Sequence, residues 1–370
     1  MLAPDQTAVD RGITLRACIQ KIATGPELSK DLSFEETRAA MALILRGQAD
    51  PVQAGVFLIA LRMKRETDDE NRGVLQALMD ASETVTAGVD EVVDIADPYD
   101  GYTRCLPASP FLPCVLAACG VPAVSHGVET LGPKYGATHR KILKAAGVAV
   151  DLTPREVAAR LADPTVGWGY VDQRAFCPPL HDLTPLRTLI VKRPCLTTVE
   201  VLIGPVRGRK ATHLMTGFVH KAYPRVYALL ARHAGFDSAL IIRGVEGGVV
   251  PSLQQPAKVF QYHDRGEEQQ TLVEPSSIGI QQPERAVPLP ESLSAADESN
   301  AVIDADAVAR AAAAAGLEAL SGKPGPTRDS LVYVAALCLW HLGRHDSLPA
   351  AAHAVHAVLD SGAALARLRA

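Results

Sequence analysis

The sequence predicts an α/β protein: a small N-terminal helical domain followed by a larger domain with a mostly parallel central sheet. Three observations predict it. Over residues 13–90, apolar residues recur at helical spacing between capping signatures. From about residue 91, short apolar runs that end in turn residues alternate with helical segments, as in a parallel sheet. The chain has 370 residues, 48% of them apolar, which is ample for a large buried core. The division is expected near residue 90, giving a helical domain over 1–90 and an α/β domain over 91–370.

The helical elements come first. Ser33 and Glu36 form a capping box, and Thr37, Met41, Ile44 and Leu45 then share a face with Phe34 until Gly47 stops the helix. Asp50 caps the next helix with Pro51 at its first position, and Val52, Val56, Ile59 and Ala60 are its expected apolar stripe. Thr67 and Glu70 repeat the capping box, with Leu75, Leu78 and Met79 expected inward. Strands are predicted at VVDIADP (92–98), VPAVSHG (121–127) and DSALIIRG (237–244), and SPFLPCVLAACG (109–120) reads as helix despite Pro113. Residues 259–280 read as a hairpin turning at Asp264-Arg265-Gly266, residues 281–300 as a connector, and the remainder as helical. No fixed-period repeat is present.

Composition excludes several function classes. No apolar run reaches the roughly 18 residues of a membrane span, and the first twelve residues have no secretory h-region. The seven cysteines are scattered without a CxxC pair, so neither a disulfide framework nor a zinc ribbon is indicated, and a cytoplasmic protein is expected. Net charge is −4 but unevenly spread: Ser125 to Arg232 holds 16 basic against 7 acidic residues, while the remainder holds 21 against 34. A middle segment at +9 suits phosphorylated substrates or nucleic acid.

Ligands of a parallel sheet sit at the carboxyl ends of its strands, which draws attention to three stretches. Asp97-Pro98-Tyr99-Asp100-Gly101-Tyr102-Thr103-Arg104 is a strand-to-helix turn whose amides could make an anion nest, with Thr103 and Arg104 adding donors. Ser125-His126-Gly127 leads into a loop with Lys134, Arg140 and Lys141, and Thr138 is a plausible cap for the following helix. A lone His after a buried strand is, on its own, more often a satisfied core residue. The third stretch is 176–210, where Pro185 opens a helix carrying Arg187, Lys192 and Arg193, Pro194 ends it, and Arg207, Arg209 and Lys210 follow.

Together these stretches resemble the anthranilate phosphoribosyltransferase family, within the glycosyltransferase and nucleoside-phosphorylase fold group. The resemblance runs from about Leu15 to the C-terminus. It is carried by LSFEETRAAMALILRGQADPVQAGVFLIALRMKRET, by SHG at 125–127, by HDLTPLRTLIVKRPCLTTVEVLIGPVRG, and by SGKPGPTRDSLVYVAALCLWHLG with Arg328-Asp329. It implies that the α/β domain binds phosphoribosyl pyrophosphate (PRPP) with magnesium. It also implies that the helical domain, completed by residues near 180–200, supplies acceptor contacts and a dimer interface. The sequence departs from the family at three places. The Gly-Thr-Gly-Gly-Asp-Gly loop is replaced by Asp97 to Tyr102; Ser125 replaces the lysine of Lys-His-Gly; and Val249-Val250 replace the acidic pair expected for magnesium, leaving Glu246 as the candidate ligand.

Three readings follow. In the first, the chain is a pentosyltransferase acting on an aromatic or nitrogenous acceptor. Asp100, Gly101, Thr103, Arg104, His126, Gly127 and Lys134 then bind the phosphate side, and His181, Arg187 and Arg193 line the acceptor side. In the second, a basic groove of Lys134, Arg140, Lys141, Lys144, Arg187, Lys192, Arg193, Arg207, Arg209 and Lys210 binds single-stranded nucleic acid, with Tyr99, Tyr102 and Tyr135 stacking bases. In the third, the fold survives as a structural homodimer or partner-binding protein. A dimer is expected through the N-terminal helices, with Met41, Ile44, Leu45 and Phe57 on its apolar face.

Overall fold

The computed structural model describes residues 14–25, 27–293 and 303–370. The reading of the first twelve residues and the end of the 281–300 connector lie outside them. Helices α1 (Leu15–Ile22), α2 (Phe34–Leu45), α3 (Pro51–Lys64) and α4 (Asp68–Asp80) form the N-terminal bundle. Both capping boxes are formed: Ser33 Oγ accepts from the Glu36 amide while the Glu36 carboxylate accepts from the Ser33 amide at 3.0 Å, and Thr67 and Glu70 do the same. Asp50 caps α3 at the amides of Val52 and Gln53.

One helix faces the other way from expectation. In α3 the buried residues are Ala54, Phe57, Leu58 and Leu61, while Val52 is 74% and Val56 41% exposed. This helix is apolar on two faces, so its own pattern does not choose between them. The bulkier face, with Phe57 and Leu58, packs inward because it removes more apolar surface from water. The dimer-face assignment is corrected at the same point. Met41, Ile44, Leu45 and Phe57 are all buried in the monomer core.

The α/β domain is built on a seven-stranded sheet. Its strands are β1 (Glu91–Ala96), β2 (Ala123–Gly127), β3 (Trp168–Asp172), β4 (Ala211–Phe218), β5 (Ser238–Arg243), β6 (Ala257–Tyr262) and β7 (Gln269–Val273). The spatial order is β3-β2-β1-β4-β5-β6-β7. The first five strands pair in parallel, with Ile95 opposite both Ser125 and Met215, and β6 and β7 add an antiparallel edge that is the predicted hairpin. Strands β3 and β4 were not predicted. β4, the strand between β1 and β5, carries Thr216 and Phe218, which line the cleft.

Side-chain alternation along β1 feeds two cores. Val93 and Ile95 pack with α5 (Leu112–Ala118) and α6 (His139–Ala145) on one face. Val92 and Ala96 pack on the other face with the N-terminal bundle, with α7 (Pro154–Ala162), with the segment around α8 (Thr184–Ile190), and with α9 (Tyr223–His233). Helices α10 (Ala305–Leu320), α11 (Pro326–His341), α12 (Leu348–Asp360) and α13 (Ala363–Arg369) complete the first face, and α11 is buried almost throughout. Helix α8 returns to the bundle, where Leu186 and Ile190 lie over Gly55 of α3. It ends at Ile190, so Lys192 and Arg193 lie beyond the helix rather than on it. Among the described residues, no helix is long and apolar enough to cross a membrane.

Candidate functional site

The carboxyl ends of β1 and β4 and the loops after β2 and β5 meet at a cleft of about 460 Å³ between the sheet and the helical bundle. The loop after β1 is organised by Asp97, which is 2% exposed. Its carboxylate accepts hydrogen bonds from Tyr102 Oη (2.6 Å), Ser109 Oγ (2.5 Å), His139 Nε2 (2.8 Å) and the Val249 amide (2.8 Å). Burial works against its charge, but the nearby His139 and these donors outweigh that and hold the carboxyl below its usual range. Asp97 therefore ties three strand-end loops together. Gly101, at φ +75°, is part of the same seam: a Cβ there would come within 2.7 Å of the Gly136 backbone. Its glycine serves the approach of two loops rather than of a ligand.

Beside this seam the backbone turns so that its amides converge. The amides of Thr103 and Arg104 donate to the Glu246 carboxylate at 3.1 and 2.8 Å, and the Thr103 hydroxyl (3.3 Å) and Cys105 thiol (3.4 Å) point at the same group. Burial, with the Glu246 charge adding to it, pushes the Cys105 thiol well up. Lys134 Nζ donates to the carbonyls of Gly101 (3.0 Å) and Glu246 (3.3 Å), and lies 3.5 Å from the Glu246 carboxylate and 3.8 Å from that of Asp100. Arg193 holds Asp100 from the other side at 2.6 and 3.1 Å. The predicted phosphate-side residues Asp100, Thr103, Arg104 and Lys134 thus meet at one wall of the cleft, joined by Arg193.

Other predicted residues are elsewhere. His126 is 1% exposed, its ring fixed by Tyr99 Oη on Nδ1 and by Asp94 at 2.8 Å on Nε2, and Gly127 is packed against Tyr99 and Tyr170. Both belong to the floor beneath the cleft, and neither lines it. Arg187, 3% exposed, donates both terminal nitrogens to Glu200 at 2.6 and 2.7 Å, so it is not free to hold an acceptor. His181 is half-buried at the end of a short turn and does not line the cleft.

The basic groove is broken up by the fold. Arg140 is buried among Glu129, Asp151 and Asp172. Arg207 is turned onto the carbonyls of Ile203, Gly204 and Ala234 and stacks on Phe236. Lys141 pairs with Asp306, Lys144 lies 3.9 Å from Glu129, and Arg209 and Lys210 share Asp90 at the amino end of β4. Tyr99 and Tyr102 are buried and cannot stack bases, while Tyr135 is 42% exposed. Burial and pairing use up most of the sequence's positive charge.

The cleft also has residues that were not predicted. Arg62 reaches it from α3 and donates to Tyr223 Oη at 3.0 Å. Tyr223 and Tyr227 present the aromatic face of α9, Thr216 and Phe218 come from the end of β4, and Thr197 and Thr198 from the segment after Pro194. Thr197 Oγ1 is buried without a protein partner among the described residues. Only the Thr-Thr pair and the unpredicted strand could have signalled them.

The donor set does not fit a protein-held magnesium ion, which needs oxygen ligands. Val249 and Val250 offer none, the Glu246 carboxylate is taken by two amides, and Asp97 and Asp100 are taken by hydrogen-bond donors and cations. Among the described residues no group of three His, Cys, Asp or Glu side chains is placed to hold a metal.

A helical bundle, a mostly parallel sheet with loops gathered at the carboxyl ends of its strands and a cleft between them define a two-part architecture. Comparison with known proteins agrees. Residues 16–82 match the helical bundle domain of the glycosyl transferase family and residues 107–365 match its α/β domain. The chain is 30% identical over 356 residues to the anthranilate phosphoribosyltransferase of Bradyrhizobium diazoefficiens, covering 96% of this chain and 97% of the relative. Among solved structures, the anthranilate phosphoribosyltransferase of Saccharomyces cerevisiae in complex with PRPP and Mg superposes with a TM-score of 0.76 at 17% identity, covering 96% of each chain. That of Thermus thermophilus gives 0.73 at 21%, covering 96% of this chain and 97% of the other. The chain belongs to the anthranilate phosphoribosyltransferase family.

Proposed function

We propose that this chain transfers a phosphoribosyl group from PRPP to an aromatic or nitrogenous acceptor bound in the interdomain cleft. The observation that carries the reading is the mixed lining of that cleft, which brings the donors Thr103, Arg104, Lys134 and Arg193 together with the aromatic rings of Tyr223, Tyr227 and Phe218. Cationic and hydroxyl donors suit a pyrophosphate leaving group, and aromatic rings suit a flat acceptor. The reaction is a displacement at the ribose carbon, so the protein's part is to position both substrates and to stabilise the departing pyrophosphate. Arg62, which donates to Tyr223 Oη, is the cation tied to the aromatic part of the lining. Because Arg187 is paired with Glu200, an acceptor that needs a free Arg187 is disfavoured.

Calorimetric titration with PRPP, with and without magnesium, tests the reading. Micromolar binding supports it, and absence of heat in both titrations sinks it. The alternative occupant, single-stranded nucleic acid, rests on the cations left exposed near the cleft, Arg104, Lys192 and Arg193. An oligonucleotide titration at two salt concentrations tells the two apart.

The remaining proposals concern context. The domain boundary near residue 90 draws support from the separate family matches on either side of it. A cytoplasmic protein is consistent with its seven free cysteines. A homodimer through the helical bundle would use Val52, Val56, Met63, Leu189 and Val191, which are exposed apolar residues of the helices α3 and α8 and of the turn after α8. Val56→Glu with Met63→Glu should then convert a dimer to a monomer in sedimentation.

A further inference from the structure

We propose that Glu246 is a built-in anion that closes the nest at residues 103–105, and that a phosphate or pyrophosphate group entering the cleft displaces it. The proposal rests on the phosphate-side reading above and adds a gate to it. Four donors converge on one spot: the amides of Thr103 and Arg104, the Thr103 hydroxyl and the Cys105 thiol. Successive amides turned inward in this way are an anion site, and a carboxylate and a phosphoryl oxygen make the same demands on them. In this fold the anion is supplied by the chain itself, from the loop after β5.

That loop is held in a disfavoured conformation. Glu246 has φ 52° and ψ 15°, the left-handed region that a residue with a Cβ avoids, and Gly247 follows at φ 88°. The turn is closed by backbone hydrogen bonds from Val245 to Val250 and from Gly248 to Val245 as well as by the contacts of the carboxylate, and release of the carboxylate removes one of these fastenings. The neighbouring charge is arranged for exchange. Lys134 lies within 3.5 Å of the Glu246 carboxylate but is also anchored to the Gly101 carbonyl at 3.0 Å. When Glu246 leaves, the ammonium stays and faces the incoming anion, so the nest trades one negative group for another without stranding a cation. Thr103, Arg104, Lys134, Glu246 and Gly247 all line the cleft, so an entering ligand has direct access to the exchange. The competing role is a permanent clasp between loops, in which the carboxylate never yields.

Titration of inorganic pyrophosphate without divalent metal into the wild type, Glu246→Gln and Glu246→Ala distinguishes the two. A gate predicts that Glu246→Ala binds at least about tenfold more tightly than the wild type. Glu246→Gln, which keeps the shape but loses the charge, should fall between them. Equal or weaker binding by Glu246→Ala, or no binding by any of the three, overturns the gate. Hydrogen exchange on the wild type supplies a second readout should the Ala variant fold poorly. Saturating pyrophosphate should speed exchange in residues 242–250, and unchanged or slowed exchange overturns the proposal. Parallel titrations with PRPP separate this proposal from the parent reading. Pyrophosphate gain in Glu246→Ala with no PRPP binding anywhere keeps the gate and removes the transferase. Equal PRPP affinity in all three proteins keeps the transferase and removes the gate.

Discussion

Arg187 and Arg193 lie on one short connecting segment, and the protein uses them in opposite ways. Arg187 is 3% exposed, with both terminal nitrogens on Glu200. Arg193 keeps 44% of its side chain exposed and holds only Asp100, at the cleft wall. The same contrast runs through the whole region. The floor under the cleft, with Asp97, His126, Asp94 and Arg187, is sealed and paired with protein groups, although Asp94 Oδ2 and Arg187 Nε keep no partner among the described residues, while the rim, with Arg104, Lys134 and Arg193, has charge left for a ligand. Residue type alone does not separate a structural cation from a functional one. The number of partners and the solvent do.

The most severe way to break this contrast is on the floor. Arg187→Ala strands Glu200 as a buried uncompensated charge and should destabilise by about 3–5 kcal/mol in urea unfolding. Replacing both partners, Arg187→Met with Glu200→Leu, should recover most of that loss. Arg193→Ala, on the half-exposed rim, should change stability by less than about 1 kcal/mol and instead weaken PRPP binding. If the two arginines exchanged these behaviours, the division into floor and rim would be wrong. Next in size is Asp97→Asn, which keeps the shape but gives the hydroxyls of Tyr102 and Ser109 a weaker acceptor. A loss of about 1–3 kcal/mol is expected, and near-neutral behaviour would mean that the loop seam is held elsewhere.

How much of this was legible depended on the range of the interaction. Both capping boxes could be read because donor and acceptor lie within one helical turn, and the strand at 123–127 because its apolar run ends in a glycine. The inward face of α3 could not be read from periodicity: Val52 and Val56 make as regular a stripe as Phe57 and Leu58, and the greater bulk of the second pair counts only once neighbouring helices are there to cover it. Strand β4 lies in ATHLMTGF, where Thr and His interrupt the apolar run, so its cleft residues Thr216 and Phe218 went unseen. The cations assigned to a groove but found engaged differ in how far away their partners lie. Lys141 meets Asp306 and Arg140 meets Asp172 from distant parts of the chain, whereas Arg187 meets Glu200 within its own connecting segment and Arg207 folds back onto the carbonyls of Ile203 and Gly204. Glu246 was visible as an acid in a glycine-rich loop, but nothing local placed it in a nest formed by residues 103–105.

The amino ends of the strands sharpen the comparison by pH. There His341 contacts Ser238 at 2.9 Å, Ser238 contacts His213 at 2.8 Å, and His263 stacks on His341 with centroids 4.4 Å apart. Burial, with the nearby His263 and His213 adding to it, lowers His341 to about 3. A histidine lowered in the folded state stays neutral there while the unfolded chain takes up a proton. Its contribution is therefore fully present above pH 6.5 and is lost as pH falls from there toward 3. The slope is at most about 1.4 kcal/mol per pH unit for each such group. His341→Gln should flatten the fall in unfolding free energy between pH 7 and pH 5, and an unaltered slope would show that other groups carry it.

The smallest effect is expected from Arg209 and Lys210, which share Asp90 at 2.6 and 2.7 Å on the side of the sheet away from the cleft. They stand out in the sequence, as Arg-Gly-Arg-Lys, yet both are exposed and distant from the cleft wall. Replacing both by Ala should leave pyrophosphate affinity unchanged. For an oligonucleotide, each lost phosphate contact lowers the slope of log affinity against log salt by about one. An unchanged slope would confine anion recognition to the cleft. A slope reduced by about two would mean that the amino end of the sheet also engages phosphates, and the contrast between floor and rim would then describe only one of two anion-facing surfaces.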